Sequence, residues 1–229
     1  MIFQYRLLFD NPVAFAVLFA AFSVSLLTGL IFHEFCHAFV ANLLGDPTPK
    51  RHGRLTLDPR AHYDPIWTTA IFILGFGMAK PVPIDPRNTA NPKQALLLIA
   101  LAGPLSNLVV AAIAAIPLRL GVAGLSSAGL LSPGGPSASG LLELFLMTVV
   151  VLNVTLGVFN LLPIPPLDGS NVLLGLLPRD LELQYARLQP WGFGILMVLI
   201  MLPFITGGGF GLRTLLDPPI DFLLRLLGV

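Results

Sequence analysis

Charge is what this chain has least of. Lys, Arg, Asp and Glu make up 11% of its 229 residues, against roughly 25% in soluble domains. Hydrophobic residues reach 55%, and the mean hydropathy is +0.84. That combination excludes an ordinary soluble domain and defines an integral membrane protein. A net charge of +1 leaves no basic footprint for nucleic acid. Cysteine is almost missing: Cys36 stands alone, so no internal disulfide can form and the redox compartment is not legible. The first apolar run, from about Pro12, has no basic cluster before it and no small-residue cleavage site within it. It reads as a retained membrane helix and not as a removed signal peptide. No stretch is polar enough for a separate soluble domain, so residues 1–229 are expected to form one membrane-embedded domain.

A spanning helix needs about 20 mostly apolar residues. Four stretches supply or approach that: Pro12 to Leu44, Gln94 to Leu120, Leu141 to Leu162, and the shorter Trp191 to Thr206. Ile66 to Met78 is too short to span and reads as re-entrant or interfacial. Thr214 to Leu227 alternates leucines with Asp217, Asp221 and Arg225, as an interfacial helix does. The expected fold is therefore an all-α polytopic bundle of about four to six transmembrane or re-entrant helices. A short strand is expected near the active site, at Arg54 to Asp58. Ser126 to Ser139 is rich in Ser, Gly and Pro and uncharged, which suits a flexible loop.

Lysine and arginine fall unevenly on the loops. With four alternating crossings and the N-terminus outside, one side receives nine of the 13, including Lys50, Arg51, Arg54, Arg60, Lys80 and Arg179. The positive-inside rule makes that side cytoplasmic.

The chemistry begins at His33-Glu34-Phe35-Cys36-His37, an H-E-x-x-H sequence inside an apolar run. Two histidines at i and i+4 share one helix face and can reach one metal ion. The glutamate between them can take a proton from a water at that metal. Ionisable residues within a membrane helix are costly and usually functional. A zinc site needs a third protein ligand. The best candidate is Asp168, in Asn160-Leu161-Leu162-Pro163-Ile164-Pro165-Pro166-Leu167-Asp168-Gly169. The prolines end the third helix, and the turn holds a carboxylate at the same membrane end as His37. Asp168 can equally cap a helix that begins near Gly169. Cys36 reads as packing, Asn153 as interhelical glue, and His52 and His62 as solvated loop residues. Pro81-Val82-Pro83-Ile84 is extended by proline geometry and offers an edge on which an unwound substrate can pair.

An H-E-x-x-H in a membrane helix followed by N-x-x-P-x-x-x-L-D-G resembles the site-2 protease family, the intramembrane zinc metalloproteases of peptidase family M50. Ala102-Gly103-Pro104-Leu105-Ser106-Asn107 and Gly77-Met78-Ala79-Lys80-Pro81-Val82-Pro83-Ile84 are further matches, so the resemblance runs from about residue 28 to 172. It implies one zinc per chain, held by His33, His37 and Asp168, with Glu34 as general base. It also implies hydrolysis of peptide bonds within or beside a transmembrane segment of a membrane-protein substrate. Asn160 and Asn107 lie in the matching motifs and are the candidate oxyanion donors, Asn160 being favoured. The PDZ and CBS domains of many relatives have no counterpart here, so a minimal form is expected. The setting implied is a prokaryotic plasma membrane with the active site toward the cytoplasm. The competing reading is a non-hydrolytic metal-binding membrane protein; Glu34 speaks against it, because pure binding needs no base.

Overall fold

The computed structural model describes residues 12–65, 80–121, 138–206 and 211–229. The expected re-entrant piece at Ile66 to Met78 and nearly all of the Ser126 to Ser139 loop lie outside them. The helices are α1 (Pro12–Leu43), α2 (Thr48–Arg51), α3 (Pro59–His62), α4 (Pro92–Arg119), α5 (Ala138–Asn160), α6 (Asp168–Leu176), α7 (Arg179–Ala186), α8 (Gly192–Thr206) and α9 (Leu212–Leu227). Among the described residues, four stretches are long and apolar enough to cross a membrane: Phe15–Leu43, Pro92–Arg119, Ala138–Asn160 and Arg179–Pro203. The chain is an all-α, multi-pass membrane protein.

The bundle is built on α1, α4 and α5, each packed on the other two, with α6 laid on α4 and α9 on α5. Lipid tails are as apolar as leucine, so membrane helices associate through close packing and interhelical polar contacts. The buried positions follow that rule. Ala21, Ala38, Ala41, Ala95, Ala100 and Ala111 are almost fully covered, whereas Phe19, Val24, Phe39, Val109 and Ile113 point outward as lipid-facing residues do. A second packed cluster joins Ala111, Ala115 and Leu118 of α4 to Val150, Val154 and Val158 of α5, with Leu216 of α9 closing it. The segment expected as an interfacial helix is thus helical, and one of its leucines reaches the core.

Capping fixes where α4 starts. Asn91 accepts from the Gln94 N–H, and Pro92 follows at the first helical position, where a missing N–H costs nothing. Pro104 lies inside α4. Having no N–H, it cannot donate to the Ala100 carbonyl four residues back, yet α4 runs on unbroken.

The expected strand at Arg54 to Asp58 is not formed; among the described residues there is no strand. Arg54 turns inward instead and donates to the carbonyls of Ala61 and Lys80. The Asp58 carboxylate accepts from the Arg60 N–H and caps α3. The segment's own backbone is taken up locally: the Arg54 N–H donates to the Pro49 carbonyl, the Thr56 carbonyl meets His62 Nε2, and the Asp58 N–H donates to the Thr56 hydroxyl.

Candidate metal centre

His33 and His37 occupy successive turns of α1 and are 6% and 5% exposed. Their ring centroids are 4.6 Å apart and the planes nearly perpendicular. Each ring is held from behind. His37 Nδ1 lies 2.6 Å from the Ile99 carbonyl oxygen, and His33 Nδ1 lies 2.9 Å from Asn107 Oδ1. A carbonyl oxygen only accepts, so the His37 proton sits on Nδ1. Asn107 is oriented by a further chain of contacts: its Nδ2 donates to Asn153 Oδ1 at 3.4 Å. Asn153 Nδ2 in turn donates to the Val149 carbonyl at 2.9 Å. Since Val149 can only accept, the relay runs one way, and His33 also carries its proton on Nδ1.

Both Nε2 lone pairs therefore face forward, and Asp168 meets them. Its Oδ2 lies 2.9 Å from His33 Nε2 and 3.3 Å from His37 Nε2. That buried oxygen has no hydrogen-bond partner. One ligand atom from each of His33, His37 and Asp168 lies within 4.8 Å of the other two. Three acceptors converging with no donor between them repel unless a cation stands among them. Tetrahedral zinc with ligands at about 2.0–2.1 Å has ligand–ligand edges near 3.3 Å. The donor set fits such an ion in chemistry and in spacing. Cys36 is not part of the group.

Two backbone features make this convergence possible. A Cβ on Gly103 would sit 2.4 Å from His37 Nε2 and 2.7 Å from His33 Cε1, so only glycine lets α4 pass this close to both rings. Asp168 is delivered by the turn after α5. The chain doubles back so tightly that a Cβ on Gly169 would lie 2.2 Å from the Leu161 carbonyl oxygen. α6 begins at Asp168 itself, with Leu167 at the N-cap and no side-chain cap bond. The capping alternative for Asp168 is therefore not the arrangement found.

Glu34 follows His33 and leaves α1 about 100° further round. Its Oε2 accepts from the Val82 N–H at 3.2 Å. Asn107 stands behind His33, with both ends of its amide engaged. Asn160, at the end of α5, donates back to the Leu156 carbonyl. His52 is exposed, as expected, but His62 is 3% exposed and its Nε2 meets the Thr56 carbonyl oxygen at 2.8 Å. Its place in a polar stretch suggested solvation, yet the folded-back loop encloses it. Sequence reading missed Asp46 and underrated Asn153. Asp46 is 0% exposed and ties two loops together. The one available signal was a lone acid directly after a helix-ending glycine. Gly45 has φ +104°, the left-handed conformation that ends helices.

A helical membrane bundle that buries two histidines of an H-E-x-x-H helix against an aspartate has the build of a membrane-embedded metallopeptidase. Comparison with known proteins agrees. The model of peptidase family M50 matches residues 121–203, a span that holds Asp168 and Asn160. The chain is 36% identical over 204 residues to "Putative zinc metalloprotease YwhC" of Bacillus subtilis, covering 89% of each chain. It is 30% identical to "Putative zinc metalloprotease Rip2" of Mycolicibacterium smegmatis over 84% of this chain and 71% of that one. To the Mycobacterium tuberculosis protein of the same name it is also 30% identical, over 88% and 74%. No solved structure matches. The chain belongs to peptidase family M50.

Proposed function

We propose that this protein is an intramembrane zinc metalloendopeptidase of the site-2 type, cleaving peptide bonds within or beside transmembrane segments of membrane-protein substrates. The observation that carries the reading is the meeting of His33 Nε2, His37 Nε2 and Asp168 Oδ2 with no donor among them. These three residues would hold one zinc ion, which when bound supplies Lewis acidity and an acidified water. Glu34, one residue from His33, would act as the general base toward water and as the proton donor to the leaving amine. Asn107, through the His33 contact, fixes the tautomer and orientation of a ligand. That role engages both ends of its amide, and Asn160, whose amide keeps a second N–H beside the one given to the Leu156 carbonyl, is the favoured candidate donor to the oxyanion.

The active site is assigned to the cytoplasmic side of the cell membrane. Lys50, Arg51, Arg54, Arg60, Arg87 and Lys93 cluster between the end of α1 and the start of α4, and His37 lies toward that end. The test is zinc content of detergent-purified protein beside Asp168→Ala and Glu34→Gln. About one zinc per chain is expected, lost with Asp168 and kept in Glu34→Gln, where peptide hydrolysis stops. Zinc unaffected by losing Asp168, or hydrolysis surviving in Glu34→Gln, would overturn the assignment of that residue.

A further inference from the structure

Val82 sits between two prolines, so its N–H is the sole backbone donor in Pro81-Val82-Pro83. That donor is committed to Glu34 Oε2. The segment that carries it is pinned at both ends. At its start, the Lys80 N–H donates to the His62 carbonyl at 3.0 Å, and the Lys80 carbonyl accepts from Arg54 at 3.2 Å. At its far end stands Asp46. Asp46 Oδ2 accepts the Asp85 N–H at 2.7 Å, and Oδ1 accepts Asn88 Nδ2 at 2.8 Å. The Thr48 N–H and hydroxyl, at 3.0 and 2.5 Å, complete its shell. A buried carboxylate meeting only donors holds a loop more firmly than neutral contacts do.

We propose that residues 80–88 form a strap over α1 that places the Glu34 carboxylate, and that Asp46 is the positioning residue that sets the strap. This rests on the reading of Glu34 as general base. The consequence for substrate is specific. Across Pro81–Pro83 the strap has no free N–H to offer an incoming chain, so pairing there uses strap carbonyls or takes the Val82 N–H away from Glu34. By the second route, strand addition and freeing of the base are one event.

The test reads hydrogen exchange at the Val82 amide, zinc content and steady-state kinetics on the detergent-purified full chain. In Asp46→Ala, zinc content holds, kcat falls by about 10²-fold with KM little changed, and Val82 exchange quickens at least about tenfold. Unchanged kcat, or unchanged Val82 exchange in a zinc-loaded Asp46→Ala, overturns the proposal. If Asp46→Ala does not fold, Asp46→Asn keeps the volume but turns one acceptor into a donor among donors, and the same readouts decide. Glu34→Ala gives an arm free of activity: Val82 exchange should quicken while the Asp85 amide, held by Asp46, stays protected. Persistent Val82 protection there overturns the strap. Hydrolysis surviving in Glu34→Gln overturns instead the reading of the base, and leaves the exchange result to speak for the strap alone.

Discussion

The two sides of this site are held by different chemistry. The two histidines are oriented within α1, α4 and α5 by neutral groups, the amides of Asn107 and Asn153 and the carbonyls of Ile99 and Val149, and the one charge that meets them is the Asp168 carboxylate at the start of α6. The base side lies beyond the end of α1 and is held by charged groups, Asp46 and Arg54, each engaged with backbone of another loop. Depth explains the contrast. Ions are costly where water is absent, so orientation there relies on dipoles and on the close packing that glycine permits. Past the helix end, charge costs less and an aspartate can gather four donors. The candidate metal ligands are thus set by the bundle and by the turn into α6, whereas the candidate base is met by loops that pack outside it.

That comparison can be broken from the ligand side first. Asp168→Ala should take zinc from about one per chain to near none, read by metal analysis, while the helical circular dichroism signal stays. Glu34→Gln should lower hydrolysis by about 10²–10⁴-fold with zinc content intact; equal loss of zinc would place Glu34 among the ligands. Gly103→Ala puts a methyl where the rings stand, so zinc binding should weaken by about tenfold or more while α4 remains helical. A milder change is Asn107→Leu, which frees the His33 ring and should cost about 10–100-fold in zinc affinity. Asn153→Leu acts one step further along the relay and should cost less. If Asn153→Leu proves the worse of the two, the relay is not what orients His33.

The smallest effect expected is on the base side and depends on pH. Burial would raise the Asp46 pKa, but the hydrogen bonds from Thr48, Asn88 and Asp85 outweigh it and hold the group below its ordinary value of 3.8. A carboxylate depressed on folding stabilises the native state above its unfolded pKa and loses that contribution as pH falls through the native one. The difference in melting temperature between wild type and Asp46→Asn should therefore be constant near neutrality and shrink below about pH 4. A difference that stays constant in acid would mean that Asp46 acts by shape and not by charge.

Much of the ligand side is legible without coordinates. His33 and His37 are four apart in an apolar run, and helical periodicity alone puts them on one face. The prolines after Asn160 dictate that α5 must end there, so Asp168 falls on a turn at a helix end. Low charge and long apolar runs suffice to specify a helical membrane protein. Residues far apart in sequence whose pairing has no periodic signal are another matter. Asn107 reads from sequence as a candidate oxyanion donor and Asn153 as interhelical glue, and only the packing of α4 on α5 shows that they stand in series behind His33. Arg54 to Asp58 alternates as a strand does, but no neighbouring edge exists among the described residues, and its side chains cap and brace the loop instead. Asp46 carries no motif at all; its meaning comes from Asp85 and Asn88, about forty residues away. Local spacing determined that His33 and His37 share one face, because helix geometry is periodic. The tertiary structure decided which groups orient them and which loop meets the base, because those contacts depend on how helices and loops pack.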